Sequence, residues 1–186
     1  MARNVDVAVI VGSLRKESFN RKVALNLVSL APEPLALTIV EIGQLPLYNQ
    51  DYDTDNPPEY EPFRARIKRA NAVLFVTPEH DRSMPAALKN ALDIGGRPWG
   101  KNVWAGKPAG IVSASIAATG GFGANHHLRQ SLTYLDTPTM LQPEAYIGKV
   151  DTLLDEKGGI NNDGTRDFLR KFITAYAQWV GRFVTV

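Results

Sequence analysis

Cysteine is absent from the 186-residue sequence. The chain therefore forms no disulfide, offers no thiolate nucleophile and holds no metal through cysteine sulfur. Because nothing in the sequence indicates an oxidising compartment, we expect a cytoplasmic protein. By its length the chain is predicted to form one domain, residues 1–186, which is large enough to bury a full hydrophobic core.

Long hydrophobic runs and a large excess of one charge are also missing. The N-terminal apolar run, Val7–Val11, is shorter than the roughly 7–15 residues of a signal-peptide core and the ~20 of a membrane span. Lysine and arginine (21) exceed aspartate and glutamate (19) only slightly, for a net charge of +2. The densest basic cluster, Arg64–Arg69, follows acidic residues in the order that complements a helix dipole. We expect neither a membrane nor a nucleic acid as partner.

Several signature motifs are missing as well. The sequence contains no Gly-x-x-x-x-Gly-Lys-Ser/Thr loop, no Gly-x-Gly-x-x-Gly after the first predicted strand and no Gly-x-Ser-x-Gly elbow. The adjacent His126 and His127 would not share a helix face, and no His-x-x-x-His pair is present. We therefore predict no metal site.

Apolar runs typical of strands alternate with longer helical segments along the chain. The predicted strands are Val5–Val11, Leu35–Ile42, Ala72–Thr77, Ala109–Ala114 and a short fifth at Thr139–Leu141, extending at most to Ala145. The predicted helices are Ser18–Leu30, Glu59–Ala70, Pro85–Ile94, Gly123–Leu135 and Asp163–Phe183. This alternation predicts an α/β fold, with helices on both faces of a parallel sheet. Ligands of such sheets bind at the carboxyl ends of the strands, so the residues after each strand are the functional candidates.

The loop after the first predicted strand has the composition of a phosphate site. Gly12 leads into a helix N-terminus, where Ser13, Ser18 and Asn20 accompany Arg15. Free main-chain N–H groups at a helix N-terminus bind anions, and a guanidinium pairs well with a phosphate. The alternative is a capped helix with a surface arginine. A hydroxyl-rich loop of this kind suits a single terminal phosphomonoester such as that of FMN.

Polar residues also follow the third and fourth predicted strands. The loop Pro78–Pro85 holds Glu79, His80 and Asp81 between two prolines, which stiffen it. Such a loop can offer hydrogen bonds to a planar heteroaromatic ring, although His80 is equally well explained as a solvated loop histidine. Ser113-Ala-Ser115 lies at the end of the fourth strand, where small residues let a flat ligand approach the backbone.

Together these segments resemble the NAD(P)H-dependent FMN reductase family, and most closely its bacterial quinone and chromate reductases. The motifs that carry the resemblance are Gly12-Ser-Leu-Arg-Lys-x-Ser-x-Asn20, Pro78-Glu79 with Arg82-Ser83, Leu88-Lys-Asn-Ala-Leu-Asp93, Ala105-Gly-Lys-Pro108 and His127-Leu-Arg-Gln130. The resemblance runs from about residue 5 to about residue 150. It implies a flavodoxin-like three-layer sandwich with a five-stranded parallel sheet in the order 2-1-3-4-5.

The resemblance also implies an activity. FMN is bound without a covalent link, NADPH or NADH is the co-substrate, and hydride passes through FMN to a quinone or another small acceptor, such as chromate, an azo dye or free flavin. A homodimer or homotetramer is implied, with subunit contacts near Arg129, Tyr134 and Glu144 and with the Tyr48–Tyr52 loop beside the neighbouring pocket. Carried over by position, the FMN-binding residues are Ser13, Arg15, Ser18, Phe19, Asn20, Pro78, Glu79, His80, Asp81, Arg82, Ser113 and Ser115.

The chain departs from the family pattern in the loop after the third strand. The usual run Pro-Glu-Tyr-Asn is Pro78-Glu79-His80-Asp81 in this sequence. An ionised carboxylate donates no hydrogen bond, and close to the ring it would oppose the negative charge of reduced flavin. Because histidine changes its charge near neutral pH, we hypothesise that His80 is a catalytic residue that helps to deliver a proton to the acceptor.

Three other functions are compatible with the sequence. A flavodoxin-like electron carrier would bind FMN without oxidising NAD(P)H, but such carriers are usually strongly acidic. A nicotinamide dehydrogenase without flavin would use Glu41, at the end of the second predicted strand, to bind a ribose, but the third glycine of its fingerprint is missing. A non-catalytic binding module with an FMN fold would have lost its flavin.

Overall fold

The computed structural model describes residues 4–184. One parallel sheet has the strand order β2-β1-β3-β4-β5. Its strands are β1 (Val5–Val11), β2 (Leu35–Val40), β3 (Ala72–Thr77), β4 (Ala109–Ala114) and β5 (Ala145–Ile147). The α-helices are α1 (Phe19–Leu30), α2 (Tyr60–Arg69), α3 (Ala86–Gly96), α4 (Phe122–Tyr134) and α5 (Asp163–Val180). The predicted flavodoxin-like architecture is confirmed.

The central strands are apolar on both faces because helices cover both faces of the sheet. In β1, Val7 and Val9 pack into one core together with residues of α1 and α5. Their neighbours Ala8 and Ile10 pack into a second core together with residues of α2, α3 and α4. This alternation places α1 and α5 in one outer layer and α2, α3 and α4 in the other.

The predicted position of the fifth strand is wrong. The strand lies at Ala145–Ile147, whereas Thr139 forms only an isolated bridge with Ala109. The chain thus meets the edge of β4 twice, first near Thr139 and again from Ala145. Pro143 lies between the two contacts and has no N–H to donate, so it cannot continue a ladder of hydrogen bonds.

Several predicted ends shift by a few residues, and one shift has a clear cause. Helix α3 continues past Ile94 through Gly95 to Gly96. A Cβ atom on Gly95 would lie 2.2 Å from Nε1 of the buried Trp104. Packing against the indole ring therefore requires glycine at position 95, and a Cβ atom on Gly96 would lie 2.9 Å from Cδ2 of Leu135, so neither glycine serves to end the helix. The other differences are small: β2 ends at Val40, α1 begins at Phe19, α2 spans Tyr60–Arg69, α3 begins at Ala86, α4 spans Phe122–Tyr134 and α5 ends at Val180.

The basic cluster lies on α2, as the charge pattern predicts, but Arg64 is not a surface residue. Its side chain is buried, and its guanidinium donates to the carbonyl oxygens of Ile94 (2.7 Å) and Lys101 (2.6 Å). Burial lowers the pKa of this guanidinium from its usual value. Arg64 thereby fixes the carboxyl end of α3 and the loop that follows it.

Among residues 4–184, no helix combines the length and the apolar character required to cross a membrane.

Candidate functional site

The loop between β1 and α1 is built around Gly12 and Ser18. Gly12 donates its N–H to the Val76 carbonyl (2.9 Å), which joins the loop to β3. A Cβ atom at this position would lie 2.8 Å from Oγ1 of Thr77, so the close approach requires glycine. Ser18 is the N-cap of α1, and its Oγ accepts from the N–H of Arg21 (3.1 Å).

Free main-chain donors line this loop. From Ser13 to Asn20, no main-chain N–H donates to an acceptor within the described part of the chain. The guanidinium of Arg15 is exposed and lies 5.9 Å from the centre of the Phe19 ring, which is the first residue of α1. Unpaired N–H groups, a helix N-terminus and a nearby guanidinium together form an environment that attracts an anion.

Asn20 is buried at the base of the loop and connects it to β4. Its Nδ2 donates to the Ala114 carbonyl at 3.1 Å. Its Oδ1 is buried and has no hydrogen-bond partner among the described residues. A buried acceptor without a donor costs about 1–3 kcal/mol, so this oxygen marks a position that a ligand hydroxyl would satisfy.

The loop after β3 contains a tight two-residue turn. His80 and Ser83 exchange main-chain hydrogen bonds of 2.9 and 2.8 Å, and the residues between them, Asp81 and Arg82, have φ angles of 49° and 65°. Positive φ at both central positions is typical of a type I′ turn, and aspartate tolerates it better than most residues. The turn presents the exposed side chains of His80 and Asp81, while Ser83 Oγ lies 2.9 Å from His127 Nδ1 on α4.

The carboxylate of Glu79 forms its hydrogen bonds within the protein. Its carboxylate is mostly buried, and its Oε2 accepts from the N–H of Ala124 (3.0 Å) in the first turn of α4. Its Oε1 pairs with Nη1 of Arg82 at 3.1 Å. A Cβ atom on Gly123 would lie 2.9 Å from the same carboxylate. Glu79 therefore satisfies the N-terminus of α4 and holds the β3 loop against it.

The two serines at the end of β4 also bond within the protein. The fully buried Ser113 Oγ donates to the Ala145 carbonyl (3.4 Å) and accepts from Nδ2 of Asn125 (3.3 Å). Ser115 Oγ accepts from the N–H of Ala117 (3.1 Å). Ser113 thus fixes β4 against β5 and α4, whereas Ser115 shapes the loop that follows.

Asn125 is a residue that the sequence reasoning missed. It is fully buried on α4, and its Oδ1 accepts from Nε of Arg129 (3.0 Å) while its Nδ2 donates to Ser113. The signal was present in the sequence, because Asn125 lies between Ala124 and Leu128, both of which face the core. A polar residue on the apolar face of a helix must bond inside the protein.

The three predicted loops meet at one edge of the sheet. Gly12 bonds to β3, Asn20 bonds to the last residue of β4, and Glu79 bonds to the start of α4. The carboxyl ends of parallel strands meet at the same edge, so this convergence follows from the topology. Within residues 4–184, no three histidine, aspartate or glutamate side chains converge to hold a metal ion.

Two cavities open beside this edge. One, of about 1360 Å³, lies between α3 and α4 and reaches His80 and Asp81. Its apolar wall includes Trp99, whose side chain is 78% exposed, and Leu135. The other, of about 490 Å³, lies on the far side of the β1 loop, where the ends of β1 and β2 meet.

Comparison with known proteins agrees with this geometry. Residues 5–152 match the family described as NADPH-dependent FMN reductase. A quinone reductase of Pseudomonas putida is 58% identical over 181 residues, which cover 97% of each chain. A 2-hydroxy-1,4-benzoquinone reductase of a Burkholderia species is 48% identical and covers 94% of this chain and 95% of its own. The solved structure of FerB, a flavoenzyme NAD(P)H:(acceptor) oxidoreductase of Paracoccus denitrificans, superposes with a TM-score of 0.90 at 38% identity, covering 96% and 98% of the two chains.

The residues at the sheet edge fit FMN chemically. The phosphate oxygens of FMN are hydrogen-bond acceptors, and the loop from Ser13 to Asn20 supplies free N–H donors with Arg15 beside them. The ribityl hydroxyls of FMN are donors, which the unpartnered Oδ1 of Asn20 requires.

The role of Asn20 can be measured with an alanine substitution. We predict that Asn20→Ala weakens FMN binding about tenfold, since a hydrogen bond of about 1–1.5 kcal/mol is lost. The free protein should lose little stability, because the substitution also removes an unsatisfied buried oxygen. Quenching of flavin fluorescence gives the Kd, and thermal unfolding of the flavin-free protein gives the stability. Ser29→Ala, an exposed position on the same helix, is the control. An unchanged Kd in Asn20→Ala would contradict the assignment.

Proposed function

Since the chain belongs to the NADPH-dependent FMN reductase family, we propose that its electron acceptor is a quinone. The protein is an oxidoreductase that uses FMN and NAD(P)H. The observation that carries the choice of acceptor is the 58% identity to a quinone reductase over nearly the whole of both chains. The 48% identity to a benzoquinone reductase supports the same class. A cytoplasmic location, in keeping with the absence of cysteine, is part of the proposal.

The residues of the first loop would hold the phosphate end of FMN. The main-chain N–H groups of Ser13 to Asn20 and the Arg15 guanidinium supply donors. The guanidinium lies over the ring of Phe19, in a cation–π contact. Ser18 caps α1 through the N–H of Arg21, and the N–H groups of Phe19 and Asn20 stay free for an anion. Asn20 joins this end of the site to β4 and leaves Oδ1 for a ribityl hydroxyl.

The second and third loops would hold the ring. The main-chain N–H groups of Asp81 and Arg82 donate to no acceptor in the described chain, so both are free to bond a ring carbonyl or nitrogen. Pro78 stiffens the start of this loop, and Ser115 shapes the loop opposite. Glu79 and Ser113 are positioning residues, because their side chains are used inside the protein. When bound, FMN supplies the chemistry by accepting hydride from NAD(P)H and passing two electrons to the acceptor.

The proposed function is tested by anaerobic titration of the purified protein loaded with FMN. We expect NADPH or NADH alone to bleach the flavin spectrum, and benzoquinone to restore it. Flavin that binds but is not bleached would indicate an electron carrier. A protein that binds no flavin would be a binding module if it is inactive, and a flavin-free dehydrogenase if it still oxidises the nucleotide. Any of these three results would overturn the proposal.

We further propose that His80 delivers a proton to the acceptor. Its side chain is exposed at the rim of the larger cavity, on the turn that would face the ring. Glutamine at this position keeps a polar side chain but cannot change its charge.

His80→Gln should slow quinone reduction by about tenfold near neutral pH and flatten its pH dependence, because water replaces the imidazole only in part. Flavin reduction by NAD(P)H, which needs no protein acid, should be unaffected. Stopped-flow measurement separates the two half-reactions, and His126→Gln, a histidine on α4 that bonds Tyr146, is the control. An unchanged pH profile for the oxidative half would exclude this role.

We also propose that a second copy of the chain covers the larger cavity, which gives a homodimer or a tetramer built from it. Trp99 and Tyr134 line the cavity with most of their surface exposed, an unusual state for large aromatic side chains. Because the cavity reaches His80 and Asp81, a copy seated there would also form a wall of the site.

Trp99→Asp should therefore weaken the dimer by at least tenfold, since a charge would enter an apolar contact. Sedimentation equilibrium measures the association against the 20.4 kDa monomer. Leu25→Asp, an equally apolar exposed position on α1 outside the cavity, should leave association unchanged. A monomeric wild type, or equal effects of both variants, would refute the proposed interface.

A further inference from the structure

The smaller cavity contains an ion pair that the site described above does not use. Arg21, in the first turn of α1, makes two hydrogen bonds to Glu41 just after β2, at 2.6 and 3.1 Å. Both side chains line the cavity of about 490 Å³ together with Ser13 and Arg15 of the first loop. Hydrogen bonding to Glu41 is the main cause of a raised pKa for Arg21.

The cavity lies where the far end of a dinucleotide would reach. Neighbouring strands are about 4.8 Å apart, so β2 lies roughly 10 Å from β3 and roughly 14 Å from β4 along the sheet edge. A nicotinamide stacked on an FMN ring held by the loops after β3 and β4 would leave the adenosine half of NAD(P)H to extend past β1 towards β2. Ligands of open α/β sheets lie along this carboxyl edge of the strands.

The two side chains have opposite preferences for the adenosine ribose. A carboxylate accepts hydrogen bonds from the free 2′- and 3′-hydroxyls of NADH, and it repels the 2′-phosphate of NADPH. A guanidinium binds that phosphate through two parallel hydrogen bonds. In this chain the guanidinium of Arg21 is already occupied in that manner by Glu41.

We propose that this cavity binds the adenosine ribose of the nicotinamide nucleotide, and that Glu41, by holding Arg21, makes the enzyme favour NADH over NADPH. The inference rests on the proposed function, because it assigns a subsite to the nucleotide that the enzyme oxidises. The pair is half exposed, at 42% for Arg21 and 61% for Glu41, so a ligand can reach both groups.

The test compares nucleotide preference and fragment binding in three variants of the FMN-loaded protein. Glu41→Gln should raise the ratio of kcat/KM for NADPH to that for NADH about tenfold, because repulsion is removed and Arg21 is released. The same variant should bind adenosine 2′,5′-bisphosphate about tenfold more tightly than wild type by calorimetry, with no such gain for 5′-AMP. Adding Arg21→Gln should abolish both gains.

Asp167→Asn is the matched control, because it removes the carboxylate of an exposed pair with Arg170 on α5. It should leave the nucleotide ratio and fragment binding at wild-type values, and flavin content and thermal unfolding should be equal in all variants. A Glu41→Gln ratio within twofold of wild type, together with unchanged binding of the bisphosphate, would show that Arg21 and Glu41 form a surface ion pair only. That result would leave the proposed function intact, whereas a wild type that oxidises neither nucleotide would remove the proposed function itself.

Discussion

Hydrogen bonds between three loops at the carboxyl edge of the sheet are the constraint on which the site depends. Gly12 bonds to β3, Asn20 bonds to the end of β4, and Glu79 bonds to the first turn of α4. The loops would otherwise be independent surface segments, free to move relative to one another. Joined in this way, they hold the free N–H groups of the first loop and the turn after β3 in one arrangement, as a preorganised ligand site requires.

Several polar and charged side chains near the site bond within the protein, and this leaves the backbone for the ligand. Glu79 serves both the α4 N-terminus and Arg82, while Ser113 and Asn125 bond each other. Two of the side chains predicted to bind FMN, those of Glu79 and Ser113, therefore form hydrogen bonds within the protein instead. What remains available is main-chain N–H, the guanidinium of Arg15, one oxygen of Asn20 and the exposed side chains of His80 and Asp81. Main-chain donors are fixed by the fold, so they cost little reorganisation when a ligand binds.

The two cavities flank the site on opposite sides and suit different partners. The larger one reaches His80 and carries the exposed aromatic side chains of Trp99 and Tyr134, on which the proposed interface between copies rests. The smaller one carries the Arg21–Glu41 ion pair, on which the proposed nucleotide subsite rests. The site thus lies between a surface that would complete its walls and a pocket that would select its co-substrate.

The sequence by itself determined the layered fold, because periodicity and turn residues are local properties. The strand order followed from a family resemblance, and the motifs marked three loops that the fold brings to one edge of the sheet. From the sequence the fifth strand was predicted at Thr139–Leu141, whereas the strand that pairs with β4 begins at Ala145. Which of the two segments pairs with β4 depends on how each one meets the edge of the sheet, and this cannot be read from local sequence. The sequence also gave no reason for the two glycines at the end of α3, which pack against Trp104 and Leu135. Only the tertiary structure decided where Glu79 points, that Arg64 is buried, and that Arg21 meets Glu41. Each of these contacts is between residues that are distant along the chain. Such contacts are determined by packing and by the need of buried polar groups for hydrogen-bond partners, rather than by local sequence.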